Sequence, residues 1–177
     1  MSDVMLDIET LATSPDAVVL TFGAVKFDPF DSSKPMNNGL YFRVNVDEQI
    51  ALGRNVDPGT VEWWGTQNEQ VREEALGESD RTSLEDFTRQ LNKFIVGADR
   101  IWAQGPVFDI VIIENLYRQM GKPAPWQYYT IRDSRTLLKA LGYDLKPGEL
   151  LHNALADCVS QAEAIQSAVK RFELKTL

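Results

Sequence analysis

Near its N-terminus the chain reads Val4-Met5-Leu6-Asp7-Ile8-Glu9-Thr10. The alternation of side chains predicts a β-strand with Val4, Leu6 and Ile8 on one face. Asp7 and Glu9 then share the opposite face, about 6.6 Å apart along the backbone at ~3.3 Å rise per residue. Two carboxylates this close can converge on one hard cation, or, at a strand end, they can simply face water. The rest of the chain distinguishes these alternatives.

Length and composition indicate an ordinary globular protein. The chain has 177 residues, of which 44% are hydrophobic and 25% charged. A chain of this size buries about 70% of its unfolded surface, so we expect a single domain over residues 1–177. No apolar run reaches the ~18 residues of a membrane span, and no secretory signal is evident at the N-terminus, so we expect no membrane association. The lone Cys158 cannot form an internal disulfide, which suits a reducing cytoplasm.

The charge balance limits the kinds of site that the chain can carry. A formal net charge of −8 argues against a protein that coats long duplexes through a basic surface, although it allows an enzyme that holds a few nucleotides at one end. With one histidine and one cysteine, a histidine-ligated zinc site is improbable and a thiolate site is excluded.

The order of the predicted elements indicates an α/β fold with a mixed sheet. Strands are predicted at residues 4–9, 18–27, 39–44, 100–103 and 128–131. The first three have short connections, which predicts an antiparallel meander. Helical periodicity and capping signals predict helices that start near residues 58, 68, 84, 108, 134 and 153. A meander followed by alternating helices and strands is typical of a mixed sheet.

Several single residues carry narrower predictions. Gly23 interrupts the second strand and indicates a bulge or the close approach of another backbone. Asp133 is expected to cap the helix that follows it, Cys158 to pack in the core, and Asp3 to lie at the surface.

Four acidic residues and the histidine fall where a sheet can gather them. Asp7 and Glu9 end the first strand, Asp109 opens the helix after the strand at 100–103, and Asp157 lies in the first turns of the last helix. His152 is five residues earlier, about 140° around a helix from Asp157, which places it in the preceding loop instead. Ligands tend to bind at the carboxyl ends of strands in open α/β sheets.

The residue types suit phosphoryl chemistry. Carboxylate oxygens and water are the ligands that Mg²⁺ or Mn²⁺ prefers, and two such ions ~3.5–4 Å apart can hold the attacking and leaving oxygens of a displacement. A histidine titrates near neutrality in free solution, so it suits a base that takes a proton from water.

Three motifs, in this order and at these spacings, resemble those of the DEDDh 3′–5′ exonucleases. They are LDIET at 6–10, WAQGPVFD at 102–109 and HNALAD at 152–157. The segment with Val56-Asp57-Pro58 and Trp63-Trp64 is similar to the RNase T-like branch of bacterial and phage exonucleases. The resemblance implies a ribonuclease H-like three-layer α/β fold. Its mixed five-stranded sheet, an antiparallel meander of three strands and then two parallel strands, would be flanked by helices.

The resemblance also implies roles for the site residues. Asp7 would bridge two Mg²⁺ or Mn²⁺ ions, Glu9 and Asp157 would complete the site where water is activated, and Asp109 would hold the second ion. His152 would deprotonate the water that attacks the terminal phosphodiester, and a nucleoside 5′-monophosphate would be released.

Substrate contacts follow from the same resemblance. Thr10 and Leu11 would line the terminal nucleotide, and Phe108 would pack beneath the site, although an aromatic residue before a helix is also typical of a core. Adjacent helical residues point ~100° apart, so one of Trp63 and Trp64 is expected in the core and the other at the surface. The sequence does not decide which; we assign Trp64 as the substrate-binding candidate.

These observations predict a metal-dependent 3′–5′ exonuclease that acts on single-stranded or 3′-overhang DNA or RNA. The sequence does not choose between the two nucleic acids, and it does not decide whether the chain forms a homodimer. The alternative is a non-catalytic module that uses the same fold to bind nucleic acid or protein. The intact set of five interdependent groups favours the enzyme. A proofreading subunit would need a further partner, for which the sequence shows no binding tail.

Overall fold

The computed structural model describes residues 2–32, 39–144 and 152–177, and its central element is a five-stranded sheet in the order β3-β2-β1-β4-β5. The strands are β1 (Asp3–Thr10), β2 (Val19–Phe27), β3 (Gly39–Arg43), β4 (Arg100–Ala103) and β5 (Ile131–Asp133). β1, β2 and β3 pair antiparallel, whereas β4 runs parallel to β1, and β5 runs parallel to β4. The predicted mixed sheet of a meander and two parallel strands is confirmed.

The strand predicted at 128–131 is wrong in its position. Tyr128–Thr130 forms a short 3₁₀ helix, and the strand begins only at Ile131, which pairs with Ile101. Tyr128 and Tyr129 have high strand propensity, but both side chains are largely exposed. Strand propensity reflects packing on a half-buried sheet surface, which these two side chains do not have.

Seven helices are described. They are α1 (Val46–Ala51), α2 (Pro58–Gly65), α3 (Glu69–Leu76), α4 (Leu84–Ile95), α5 (Asp109–Gln119), α6 (Ser134–Ala140) and α7 (Ala154–Arg171). The predicted Asp133 cap is confirmed, since its carboxylate accepts from the backbone N–H of Arg135 at 3.0 Å. Helix α1 was not predicted, because its six residues are too short and too polar to show an apolar stripe. None of the described helices is both long and apolar enough to cross a membrane.

The two faces of β1 belong to different cores, which gives the fold its three layers. Val4, Leu6 and Ile8 pack in the larger core with α4 and α5. Met5 packs on the other face with the apolar side of α7, where Cys158 is fully buried as predicted. The alternation in the first strand therefore directs Asp7 and Glu9 toward α7.

Gly23 lets α7 approach the sheet, as its position in the second strand predicts. It pairs with Asp7 across the β1–β2 ladder. A Cβ built on Gly23 would lie 2.5 Å from the backbone nitrogen of Leu155 and closer still to the carbonyl group of Ala154. Any larger residue would therefore displace the first turn of α7.

The expectation that Asp3 lies at the surface is wrong. Asp3 is fully buried, and one carboxylate oxygen accepts hydrogen bonds from Arg100 Nε at 2.9 Å and Trp102 Nε1 at 2.7 Å. A buried carboxylate needs such partners, and both come from β4. Asp3 therefore helps to join β1 to β4.

That residues 1–177 form a single domain stays a prediction.

Candidate active site

Three of the predicted acidic residues meet at the junction of β1 and α7. Each of Asp7, Glu9 and Asp157 offers one carboxylate oxygen, and these oxygens lie within 4.8 Å of one another. Asp7 and Glu9 are half-buried at the carboxyl end of β1, and Asp157 lies in the first turn of α7. The strand alternation and the helix start thus bring residues 150 positions apart into one cluster.

Asp109 lies beside these three carboxylates, outside the set whose oxygens are within 4.8 Å of one another, and is held there through a gap in the sheet. Strand β4 pairs with β1 only as far as Met5, so the N–H of Ile8 has no strand partner on that side. The Asp109 carboxylate, at the start of α5, accepts a hydrogen bond from this N–H at 3.3 Å. Asp109 is buried, and this contact fixes it beside the residues that flank Ile8.

His152 lies at the edge of the cluster, in the loop before α7 as predicted. Its Nδ1 is 3.7 Å from Glu9 Oε1, and its ring meets Trp63 edge-on, with centroids 4.9 Å apart and planes at 88°. Its φ of +63° is in the left-handed region, which non-glycine residues rarely adopt. Because Asn153 next to it caps α7, the turn that presents His152 is part of the helix start.

The acidic cluster is electrostatically unfavourable without a cation. Burial raises the pKa of Asp7 well above its ordinary value, and the charges of Asp109 and Glu9 raise it further. Burial and the charges of Asp157 and Asp109 raise the pKa of Glu9 to about 8. Burial raises the pKa of Asp109 to about 7, although backbone N–H groups and Arg135 oppose the shift. Burial also raises the pKa of Asp157.

These residues fit a divalent metal site. The donors are carboxylate oxygens, which Mg²⁺ and Mn²⁺ prefer, and the burial and mutual repulsion that raise the pKa of Asp7 and Glu9 are what a neutralising cation would relieve. A bound cation would favour the ionised form of these carboxylates and offset their repulsion.

A groove of about 380 Å³ opens beside Glu9, and it revises the assignment of the tryptophans. Trp64 is fully buried beneath the groove, and its indole N–H donates to the carbonyl oxygen of Thr10 at 2.9 Å. Trp63 is 41% exposed and lies against His152. One tryptophan is in the core and the other at the surface, as predicted, but a fully buried Trp64 cannot stack on a base. The exposed candidate is Trp63.

Of the other predicted substrate contacts, two line the groove and one is buried in the core. Thr10 and the half-buried Phe108 line the groove. Leu11 does not: its side chain is buried in a small core with Trp64, Val18 and Leu20. Leu11 therefore supports the groove floor instead of lining it.

Sequence reasoning missed one residue of the cluster, Gln161. Its Nε2 donates to Asp7 Oδ1 at 3.0 Å. The signal was its spacing, since Gln161 follows Asp157 by one helical turn and so lies on the same face of α7.

Comparison with known proteins points to one kind of enzyme. A family model described as the 3′-5′ exoribonuclease Rv2179c-like domain matches residues 2–169. The exodeoxyribonuclease of Enterobacteria phage T4 is 25% identical over 168 residues, with 80% of this chain and 72% of the phage protein covered.

Solved structures share the fold at low sequence identity. The nuclease domain of 3′hExo, a DEDDh family member bound to rAMP, superposes with a TM-score of 0.61 at 10% identity over 96% of this chain and 92% of that domain. E. coli exonuclease I in complex with a dA16 oligonucleotide gives a TM-score of 0.67 at 19% identity over 96% of this chain. The match covers 41% of exonuclease I, so this chain spans about two fifths of its length.

Proposed function

The chain belongs to the family of 3′-5′ exoribonuclease Rv2179c-like domains and is a DEDDh-type 3′–5′ exonuclease, and we propose that it removes nucleoside 5′-monophosphates from the 3′ ends of single-stranded DNA or RNA. The observation that carries the proposal is the convergence of Asp7, Glu9 and Asp157, with ligand oxygens within 4.8 Å, beside His152. A binding module has no need of this unfavourable cluster of half-buried carboxylates.

We assign the metal ligands as Asp7, Glu9, Asp109 and Asp157, and the metals as two Mg²⁺ or Mn²⁺ ions. Bound divalent ions supply positive charge that stabilises the attacking and leaving oxygens of a phosphodiester. The buried position of Asp109, fixed by the Ile8 N–H, suits a ligand whose orientation must not change.

His152 is assigned as the general base. Its Nδ1 faces Glu9, which leaves Nε2 to accept the proton. As the water oxygen attacks the terminal phosphorus, one water proton passes to His152. The bond between phosphorus and the 3′ oxygen of the preceding nucleotide breaks, and that oxygen takes a proton to become the new 3′ hydroxyl. The terminal nucleotide leaves with its 5′ phosphate.

The groove beside Glu9 suits the 3′-terminal nucleoside. Its volume of about 380 Å³ is in the range of small-ligand sites, and it adjoins the acidic cluster through Glu9 itself. Trp63 and Phe108 offer aromatic surface, where base stacking contributes ~1–3 kcal/mol per base. Trp63 thereby replaces Trp64 as the proposed base contact.

The comparisons do not choose between DNA and RNA, because the matching family is described as exoribonuclease and the phage relative is an exodeoxyribonuclease. The test is digestion of 5′-labelled DNA and RNA oligomers of matched sequence in Mg²⁺, with chelator as control and the released product identified chromatographically. A ladder that shortens from the 3′ end, with nucleoside 5′-monophosphates as product, is expected for at least one polymer. Release of internal fragments or of nucleoside 3′-monophosphates would contradict the proposal.

A further inference from the structure

Gln161 is the polar side chain of α7 that reaches the acidic cluster without carrying a charge. It is 5% exposed, and its Nε2 donates to Asp7 Oδ1 at 3.0 Å. Its other polar atom, Oε1, is buried and has no hydrogen-bond partner among the described residues. A buried amide oxygen without a partner is unfavourable, so a role beyond packing is expected for this group.

The position of Gln161 on the helix explains how it reaches Asp7. Asp157 and Gln161 are four residues apart, so they lie one above the other on the face of α7 that meets β1. Gly23 allows that face to approach, because it pairs with Asp7 and leaves room for the first turn of α7. One face of α7 thus carries both the Asp157 carboxylate and the Gln161 amide, and this amide holds the Asp7 carboxylate of β1.

We propose that Gln161 is a positioning residue for the metal site. Its amide N–H holds one oxygen of Asp7 and keeps that carboxylate in the orientation that brings it within 4.8 Å of Glu9 and Asp157. In that role its buried Oε1 would be available to accept a hydrogen bond from a water molecule at the site. The inference rests on the proposed metal-dependent function, and it concerns the affinity for the cation as well as turnover.

The chain supplies a matched control in Gln166. It lies on the same helix, is 6% exposed, and donates through Nε2 to the backbone carbonyl oxygens of Asp28 at 2.9 Å and Asp31 at 3.1 Å. Replacing either glutamine with methionine keeps the length of the side chain and removes one buried amide. A purely structural role predicts the same consequences at both positions.

The experiment measures Mn²⁺ binding to the full chain by electron paramagnetic resonance, together with the melting temperature in chelator. Gln161→Met is expected to weaken Mn²⁺ binding by about 10–100-fold, the usual effect of losing a group that orients a metal ligand. Gln166→Met is expected to bind Mn²⁺ within about threefold of wild type, with a metal-free melting temperature lowered at least as much.

Mn²⁺ affinity of Gln161→Met equal to that of wild type would overturn the inference. If this variant does not fold, Gln161→Asn replaces it, because it keeps an amide but shortens its reach by one methylene; the same loss of affinity is expected and the same outcome overturns the inference. A nuclease assay of wild type separates the two proposals. Absence of nucleotide release with weakened Mn²⁺ binding in Gln161→Met rejects the proposed function alone, whereas release with unchanged binding rejects the positioning role alone.

Discussion

The carboxylate of Glu9 is one reason why the folded protein should be more stable with a bound cation than without one. Its carboxylate is within reach of those of Asp7 and Asp157, and burial and neighbouring charge raise its pKa from 4.5 to about 8. The folded protein without metal therefore keeps a proton on Glu9 that the unfolded chain has already released at neutral pH. The residue that is assigned to bind the metal is thus also one that opposes folding when the metal is absent.

The stability of the metal-free protein should depend on pH accordingly. Because the pKa of Glu9 is higher in the folded state, its protonated form favours folding. This contribution to the free energy of unfolding is fully present below pH 4.5 and is lost as the pH rises through about 8. Over this window Glu9 lowers the free energy of unfolding by up to about 1.4 kcal/mol per pH unit. Urea denaturation in chelator from pH 5 to 8.5 should show this decline, with a shallower slope in Glu9→Gln. The exposed Glu62→Gln is the control, and an unchanged slope in Glu9→Gln would contradict the electrostatic account.

His152 separates chemistry from binding at the residue scale. His152→Ala is expected to keep its Mn²⁺ affinity, because the ring is not an assigned ligand, while turnover at neutral pH falls by about 10²–10⁴-fold. Raising the pH should recover part of the rate, since hydroxide then substitutes for the base. Trp63→Leu removes the other ring of the Trp63–His152 contact and keeps the histidine. Because Trp63 is the proposed base contact, this variant should raise KM more than it lowers kcat. Parallel rate–pH curves for wild type and His152→Ala would reject the general-base role.

The start of α7 is the element that assembles the site. It presents His152 from the preceding turn, and Asp157 and Gln161 from one helix face. Its closeness to β1 depends on the absence of a side chain at Gly23, where a Cβ would meet the backbone of Ala154 and Leu155. Backbone atoms at a helix start cannot move aside as a flexible side chain can, so the whole first turn must shift if this residue grows.

Gly23→Ala should therefore impair metal binding and catalysis together. We expect Mn²⁺ affinity and kcat to fall by at least about tenfold, with a loss of ~1–3 kcal/mol in the free energy of unfolding from overpacking. Gly65→Ala is the control, because a Cβ at Gly65 has no atom within 4 Å and its helical position favours alanine. Metal affinity, turnover and stability of Gly23→Ala all at wild-type levels would show that α7 does not need this close approach.

The elements also show how far sequence reasoning extends. The period of the first strand and the helix signals are local, so a mixed sheet and the positions of Asp7, Glu9, Asp109 and Asp157 at the ends of elements could be predicted from the pattern. The complete five-stranded topology is what the resemblance to the DEDDh exonucleases implies. The burial of Asp3 could not, because its partners Arg100 and Trp102 come from a strand about 97 residues away. Which of Trp63 and Trp64 is buried depends on how α2 rotates against β1, and a helix with two adjacent tryptophans does not encode that rotation.

At the scale of the whole molecule, the negative charge of the protein opposes the binding of a nucleic-acid 3′ end. The chain carries a net charge of −8 and gathers several carboxylates of raised pKa where a polyanion must approach. Two bound divalent cations would neutralise the four carboxylates of the site, so substrate binding as well as chemistry should require them. The groove beside Glu9 has room for a terminal nucleoside, which suits an enzyme that holds the end of a strand rather than its length.

The most direct test of this account is the rate of nucleotide release from a 3′-labelled oligomer in Mg²⁺ by wild type and Asp7→Ala. Asp7 would be a ligand of both ions, and its removal should misplace both, so activity should be lost by several orders of magnitude. Circular dichroism verifies that the variant is folded, and the exposed Asp86→Ala is the control that should retain full activity. Mg²⁺-dependent release by wild type that disappears in folded Asp7→Ala is the predicted result. Release by folded Asp7→Ala within a few-fold of wild type would contradict the assignment of this cluster as the metal site of a 3′–5′ exonuclease.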